Sequence, residues 1–239
     1  EAITLIANQP CVNKFLRPYL GGFEFLHNAP RRVFYFGDAS PSDILKCPPA
    51  QKALQKVKEW RHKSKSKPTL AIADFPTQYH VTVVPKTDFL CLPNVSSERR
   101  YYMPIGWLSP PVIPNQKLRV IEDATLDMFA ILTSAAHMAW MRTVTGRMKS
   151  DYMYSVGVVY NTFPWPVLDD KAKATLTQTG QAILDARAAH PDATLADLYD
   201  PDAMPANLRR AHINNDKAVD KLYRKKPFEG ERERVEHLF

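Results

Sequence analysis

Ser134 to Pro166 reads SAAHMAWMRTVTGRMKSDYMYSVGVVYNTFPWP, and together with the run that begins at Leu126 it decides the fold. Leu126 to Val144 is apolar on nearly every helical face, which predicts a buried central helix rather than a surface one. Glu122, Asp123 and Thr125 supply acidic and hydroxyl groups where that helix starts. Gly146 and the polar run Arg147 to Ser150 supply its stop. Beyond the stop, aromatic and basic side chains alternate without a repeat, an order that core packing alone does not require.

Upstream, RRVFYF (Arg31 to Phe36) predicts a short strand ending at Gly37-Asp38. ASPSDILKCPPAQKALQKVKEWRHKSKSK follows, with Ser and Asp at capping positions and Ala50, Leu54, Val57 and Trp60 at helical spacing, so it predicts an amphipathic helix with a basic outer face. From Thr69 to Leu92 the runs LAIAD, YHVTVVP and DFLCLP, broken by Pro76, Pro85 and Pro93, predict strands of a mixed sheet. Pro104, Pro110, Pro111 and Pro114 make the next region irregular, with a strand at Leu118 to Ile121. After Pro166 the composition turns to Ala, Lys, Asp and Leu. Helices are expected at 170–190 and 206–225, with LADLYDPDAMP as a compact turn between them, and GERERVEHLF starts one more charged helix. The fold class is therefore α+β: a mixed-sheet domain with a buried central helix over residues 1–166, then a small all-helical domain over 167–239.

The chain has 239 residues, 45% hydrophobic and 24% charged, as soluble globular proteins do. Its net charge of +7 fits a polyanionic partner and equally fits an ordinary basic surface. Cys11, Cys47 and Cys91 lie far apart without a C-x-x-C pair, which predicts reduced thiols in the cytoplasm and no structural zinc. No 18-residue apolar stretch occurs, so no membrane partner is expected. The opening EAITLIANQPCV lacks the parts of a signal peptide and reads as a cut inside a longer protein.

Catalytic chemistry is hard to place on this chain. Amino-methylation of a base needs an Asn/Asp/Ser-Pro-Pro-aromatic turn, and Ser109-Pro110-Pro111-Val112 lacks the aromatic. Asn161-Thr162-Phe163-Pro164-Trp165 lacks the paired prolines. The eight glycines show no G-x-G spacing for a nucleotide cofactor. Asp169-x-Lys171 matches only half of a nuclease motif. No catalytic, cofactor or metal residue is assigned.

Binding chemistry is easier to find. Lys58, Arg61, Lys63, Lys65 and Lys67 belong to a run of cations suited to phosphates, or else to a solvated helix face and loop. Ser97, Glu98, Arg99 and Arg100 combine a carboxylate with guanidiniums, the groups that read cytosine amine and guanine O6/N7; alternatively they form an internal ion pair. Arg147 and Lys149 complement a helix C-terminus or touch DNA. Tyr152, with Tyr154, Tyr160, Phe163 and Trp165, stacks on a nucleotide or fills a core.

Phe15-Leu16-Arg17-Pro18-Tyr19 with Gly21-Gly22, Asp38-Ala39-Ser40-Pro41, Ser96 to Ser109, Leu132 to Pro166, and Leu195 to Asp200 through Met204-Pro205 fall in one order. In that order they resemble the C-terminal target-recognition region of MmeI-like restriction-modification DNA methyltransferases. The resemblance implies a parent protein that methylates adenine N6 with S-adenosylmethionine, and that uses magnesium where it also cleaves. This chain would supply recognition of double-stranded DNA and pack with the methyltransferase domain of the same parent. Under it, Ser97, Glu98, Arg99, Arg100, Arg147, Lys149 and Tyr152 are the base-reading candidates. Lys58, Arg61, Lys63, Lys65 and Lys67 are the phosphate candidates. The alternative is a basic module that binds RNA or an acidic protein in a larger assembly.

Overall fold

Twenty prolines punctuate the chain and keep most elements before Pro166 short. The computed structural model describes residues 9–80 and 84–239. Its first half carries β1 (Leu16–Leu20), α1 (Gly22–Leu26), β2 (Arg31–Phe34), α2 (Pro41–Leu45), α3 (Pro48–His62), α4 (Lys67–Ala71), β3 (Phe89–Pro93), β4 (Val95–Ser96), β5 (Gly106–Leu108), β6 (Ile113–Pro114) and β7 (Leu118–Glu122). Then come α5 (Leu126–Leu132), α6 (Ala135–Val144), β8 (Gly146–Met148), β9 (Asp151–Met153), α7 (Asp170–Ala188), α8 (Leu195–Leu198), α9 (Ala206–Tyr223) and α10 (Glu231–Leu238). The α+β class holds, with three small sheets ordered β2-β1-β6, β5-β3-β7 and β4-β9-β8. No helix of the described residues is long and apolar enough to cross a membrane.

Contacts divide the chain into two units. The first comprises Glu1–Tyr19, Pro30–Lys86 and Pro111–Ile113. Phe15 and Phe36 meet there at 5.3 Å between ring centroids and form a small core with Val12, Leu16, Cys47 and Ala50. Cys11 and Cys47 are joined by a disulfide, which corrects the expectation of free thiols for these two; the fold brings their Cα atoms to 5.7 Å across a 36-residue separation. LAIAD is not a strand: Lys67–Ala71 is helical, with Pro68 in its first turn, where its missing N–H costs nothing. Of YHVTVVP, residues 81–83 lie outside the described residues. The expected apolar stripe of α3 is covered only in part, since Ala50 is buried but Trp60 is 67% exposed.

The second unit comprises Leu20–Ala29, Thr87–Pro110 and Pro114–Phe239. Strand β3 is buried along its whole length and pairs antiparallel with β5 and β7. It lines the core that α5, α6, α7 and α9 share. Gly180 lets α7 lie close on α5, because a Cβ there would come within 2.8 Å of the Leu126 carbonyl. Asp169 caps α7 by accepting the Ala172 N–H at 2.7 Å, and Thr194 with Asp197 forms a capping box at α8. The helices after residue 167 thus bury their apolar faces in the same core as those before it.

The predicted central helix is broken in two. Thr133 and Ser134 interrupt it while fully buried, so the backbone groups freed at the break need partners inside the protein. Ser134 takes the first: its hydroxyl donates to the Ile131 carbonyl at 2.7 Å and accepts the His137 N–H at 3.3 Å. Helix α9 supplies two more. Asn215 Nδ2 donates to the Ala130 carbonyl at 2.7 Å, and Asp216 Oδ1 accepts the Ala135 N–H at 2.7 Å. Thr179 and Tyr102 donate in turn to Asn215 (2.8 Å) and Asp216 (2.6 Å). An apolar helix with a polar seam therefore folds here with hydrogen bonds supplied by another helix.

Burial pushes the Asp216 carboxyl up to about 6; Tyr102, the Ala135 N–H and Arg234 oppose the shift, and Asp220 adds to it. The folded state then binds that proton more tightly than the unfolded chain, whose reference value is 3.8. The stability linked to this group is fully present below about pH 4 and is lost as pH rises through about 6. Urea unfolding of the wild type and Asp216→Asn across that window should show the wild type losing stability relative to the variant. A difference that stays constant with pH would assign the titration elsewhere.

Candidate nucleic-acid interface

The sheet β4-β9-β8 gathers the residues the sequence singles out. In its register Ser96 faces Tyr152, and Tyr152 faces Arg147. The hairpin between β8 and β9 turns at Lys149, whose φ of 57° is left-handed, and this puts its side chain at the exposed tip. Tyr152 is buried, with only 6% of its surface exposed. With so little surface it offers a ligand almost nothing directly, which speaks against its expected place among the base readers. The Arg147 guanidinium lies over the Tyr152 ring at 4.5 Å and donates to the Ser150 carbonyl at 3.0 Å. The ring is a platform that orients the arginine.

Glu98 meets Arg147 from the loop after β4, at 3.4 Å, with about half of each side chain exposed. An exposed pair of this length is worth only about 0.2–1 kcal/mol. Glu98 and Arg147 therefore stand side by side, weakly engaged and open to exchange partners. Arg99 turns away to Asp202, an ion pair that raises the pKa of its guanidinium further. Ser97 accepts the Arg99 N–H at 3.3 Å and shapes the turn. Arg100 is half-buried, its guanidinium 3.5 Å from the Ser96 hydroxyl, and burial lowers its pKa against the pull of Asp151 and Asp200. Arg142 fixes this loop from below, donating to the Arg100 carbonyl at 2.9 Å and pairing with Glu231.

In the first unit, Lys63, Lys65 and Lys67 are exposed at the end of α3 and the start of α4. Lys58 is engaged with Asp74 at 3.1 Å, and with His62 it holds the Asp74 carboxyl below its usual range. Arg61 is a correction. It is 7% exposed, and its guanidinium donates to the carbonyls of Ile72 (3.1 Å), Phe75 (3.0 Å) and Gln78 (2.6 Å). An arginine spent on three carbonyls is a structural clamp and not a phosphate contact.

Asp202 escaped the sequence reading, since an acid 103 residues from its partner leaves no local signal. The β8–β9 hairpin escaped too: its turn is Lys149-Ser150, without the Asn-Gly or Asp-Gly that marks such turns. The alternation of Gly146 to Met153 was the available clue.

The family model described as the MmeI target recognition domain matches residues 1–167, and that of the MmeI C-terminal domain matches 167–239. DNA methyltransferase A of Bacillus subtilis (strain 168) is 35% identical over 238 residues, covering 100% of this chain and 27% of the relative. A solved structure of the type IIL restriction-modification enzyme MmeI in complex with DNA superposes with a TM-score of 0.95 at 38% identity, over 99% of this chain and 32% of that one. The chain spans about a quarter to a third of the length of these relatives.

Arg61→Ala should lower the unfolding free energy by about 2 kcal/mol, the worth of hydrogen bonds to a charged group, read by chemical denaturation. Arg61→Lys should restore little, because an ammonium lacks the planar fork that reaches three carbonyls. A fully stable Arg61→Ala protein would return Arg61 to the surface cations.

Proposed function

The chain belongs to the MmeI family, whose target recognition and C-terminal domain models together span it, and we propose that it reads a specific sequence in double-stranded DNA. It does so for a parent S-adenosylmethionine-dependent adenine-N6 methyltransferase. The observation that carries this is the exposed, loosely engaged pair of Glu98 and Arg147 beside the sheet β4-β9-β8.

A carboxylate accepts the cytosine N4 amine and a guanidinium donates to guanine O6 and N7, so the two side chains together complement a C·G pair in the major groove. Both exchange an ion pair of low worth for these contacts, and Tyr152 beneath Arg147 limits the freedom lost on binding. Arg100 is the second guanidinium within the loop, Ser97 sets the loop's turn, and Lys149 extends from the hairpin tip. Arg99 joins them once it leaves Asp202. Lys63, Lys65 and Lys67 hold phosphates, with Lys58 available on release of Asp74.

Residues 1–166 are assigned to target recognition and 167–239 to a helical C-terminal part; the change of family model at residue 167 supports that division. The methyl group comes from S-adenosylmethionine in the parent's methyltransferase domain, which also takes the adenine out of the stack. The place of this work is the cytoplasm.

In the full-length parent, Glu98→Gln, Arg100→Ala or Arg147→Ala should relax or change the methylated sequence, each base contact being worth about 1–3 kcal/mol. Methylation mapping reads this directly, and an unaltered motif in all of them would remove the assignment. Duplex binding of the chain, followed by anisotropy from about 50 to 200 mM salt, should weaken steeply. Replacing Lys63, Lys65 and Lys67 by Gln should reduce the slope of log K against log salt by about 3, at roughly 0.9 per phosphate. Preference for single-stranded RNA, or binding indifferent to salt, would favour an RNA- or protein-interaction module.

A further inference from the structure

Helix α3 carries three adjacent arcs at 3.6 residues per turn. The first, Ala50, Leu54 and Arg61, faces the interior of its unit, with Ala50 fully buried and Arg61 7% exposed. The third, Lys52, Lys56 and Lys63, is charged and exposed. Between them lies an apolar arc of Ala53, Val57 and Trp60 that the unit covers only in part, Ala53 being half-buried, Val57 36% exposed and Trp60 67% exposed. The hydrophobic pattern of the helix is thus wider than the surface it is packed against.

Trp60 is not exposed through looseness. The next residue, Arg61, is the clamp on the carbonyls of Ile72, Phe75 and Gln78, which fixes the last turn of α3 and the indole it presents. A large aromatic held out on anchored backbone has its ordering cost met before any partner arrives. Its neighbours select the partner. Lys56 and Lys63 lie one turn before and one turn after Trp60, about 10 Å apart along the axis at 1.5 Å per residue. Two cations with an apolar ring between them match the alternation of phosphate and deoxyribose along a DNA strand. A protein partner would leave the lysine arc unanswered unless it were itself acidic.

We propose that the Ala53–Val57–Trp60 strip is a second DNA contact, sequence-independent, in which Trp60 packs on the sugar of a duplex strand while Lys56 and Lys63 hold the phosphates on either side. It rests on the reading of the chain as a duplex-DNA binder and adds a site that serves affinity rather than choice of sequence. Arg61 is a positioning residue for it.

The test uses the full-length enzyme and two fluorescein-labelled duplexes, one with and one without the methylated word. Trp60→Ala should weaken binding to both by a similar factor of about ten, with the salt slope unchanged, because an apolar contact releases no counterions. Trp60→Phe should recover most of the loss. The double variant Lys56→Gln, Lys63→Gln should instead reduce the slope by about 2. The methylated word should be the same in every variant. Unchanged duplex affinity in Trp60→Ala would overturn the proposal, and if methylation fell at the same time the strip would be a docking face for another part of the protein. Absence of duplex binding by the wild type would overturn the reading on which it rests.

Discussion

Asn215 and Asp216 give the backbone around Thr133 and Ser134 what it cannot give itself. A helix interrupted in a dry interior leaves donors and acceptors unpaired, each costing about 1–3 kcal/mol if left so. Here the Ala130 carbonyl and the Ala135 N–H are met at 2.7 Å by side chains 85 and 81 residues downstream. The placement of α9 follows from that requirement. So does the direction of α6, which leads into the β8–β9 hairpin and hence to Arg147. The geometry of the candidate reading site is tied, through covalent chain and hydrogen bonds, to a polar seam in the middle of the core.

Where periodicity was strong the elements were legible. Helices α7 and α9 lie where their composition puts them, and β3 and β7 lie on the apolar runs ending at Pro93 and starting at Leu118. The break in the central helix was not legible, because the capping contacts of Ser134 are local while those of Asn215 and Asp216 come from a distant helix. LAIAD is the end of a short helix followed by a turn, with Pro68 in the first helical turn and the Ile72 carbonyl held by Arg61. The Cys11–Cys47 disulfide is a product of tertiary proximity that spacing does not encode.

The candidate site was legible in its chemistry and not in its arrangement. Glu98 and Arg147 stood out separately, one for its neighbouring arginines and one for the polar run after the helix. Their meeting depends on β4 pairing with β9 across more than fifty residues. Among the cations, sequence could not separate Arg61 from Lys63. Both continue a basic run, yet one points into the unit and the other to solvent, a difference of about one-half turn of helix.

The shared core has a consequence for inheritance. The recognising and C-terminal segments match separate family models, as if each were a module that could travel by itself. Yet Leu176, Ile183, Leu208 and Val219 from the second segment are buried in one cluster with Phe129, Leu132 and Met141 from the first. Recombination at the junction would part residues that fit one another and leave both halves with unmatched apolar faces. Exchange between relatives is then expected to move both segments together, and drift in one to be answered by drift in the other.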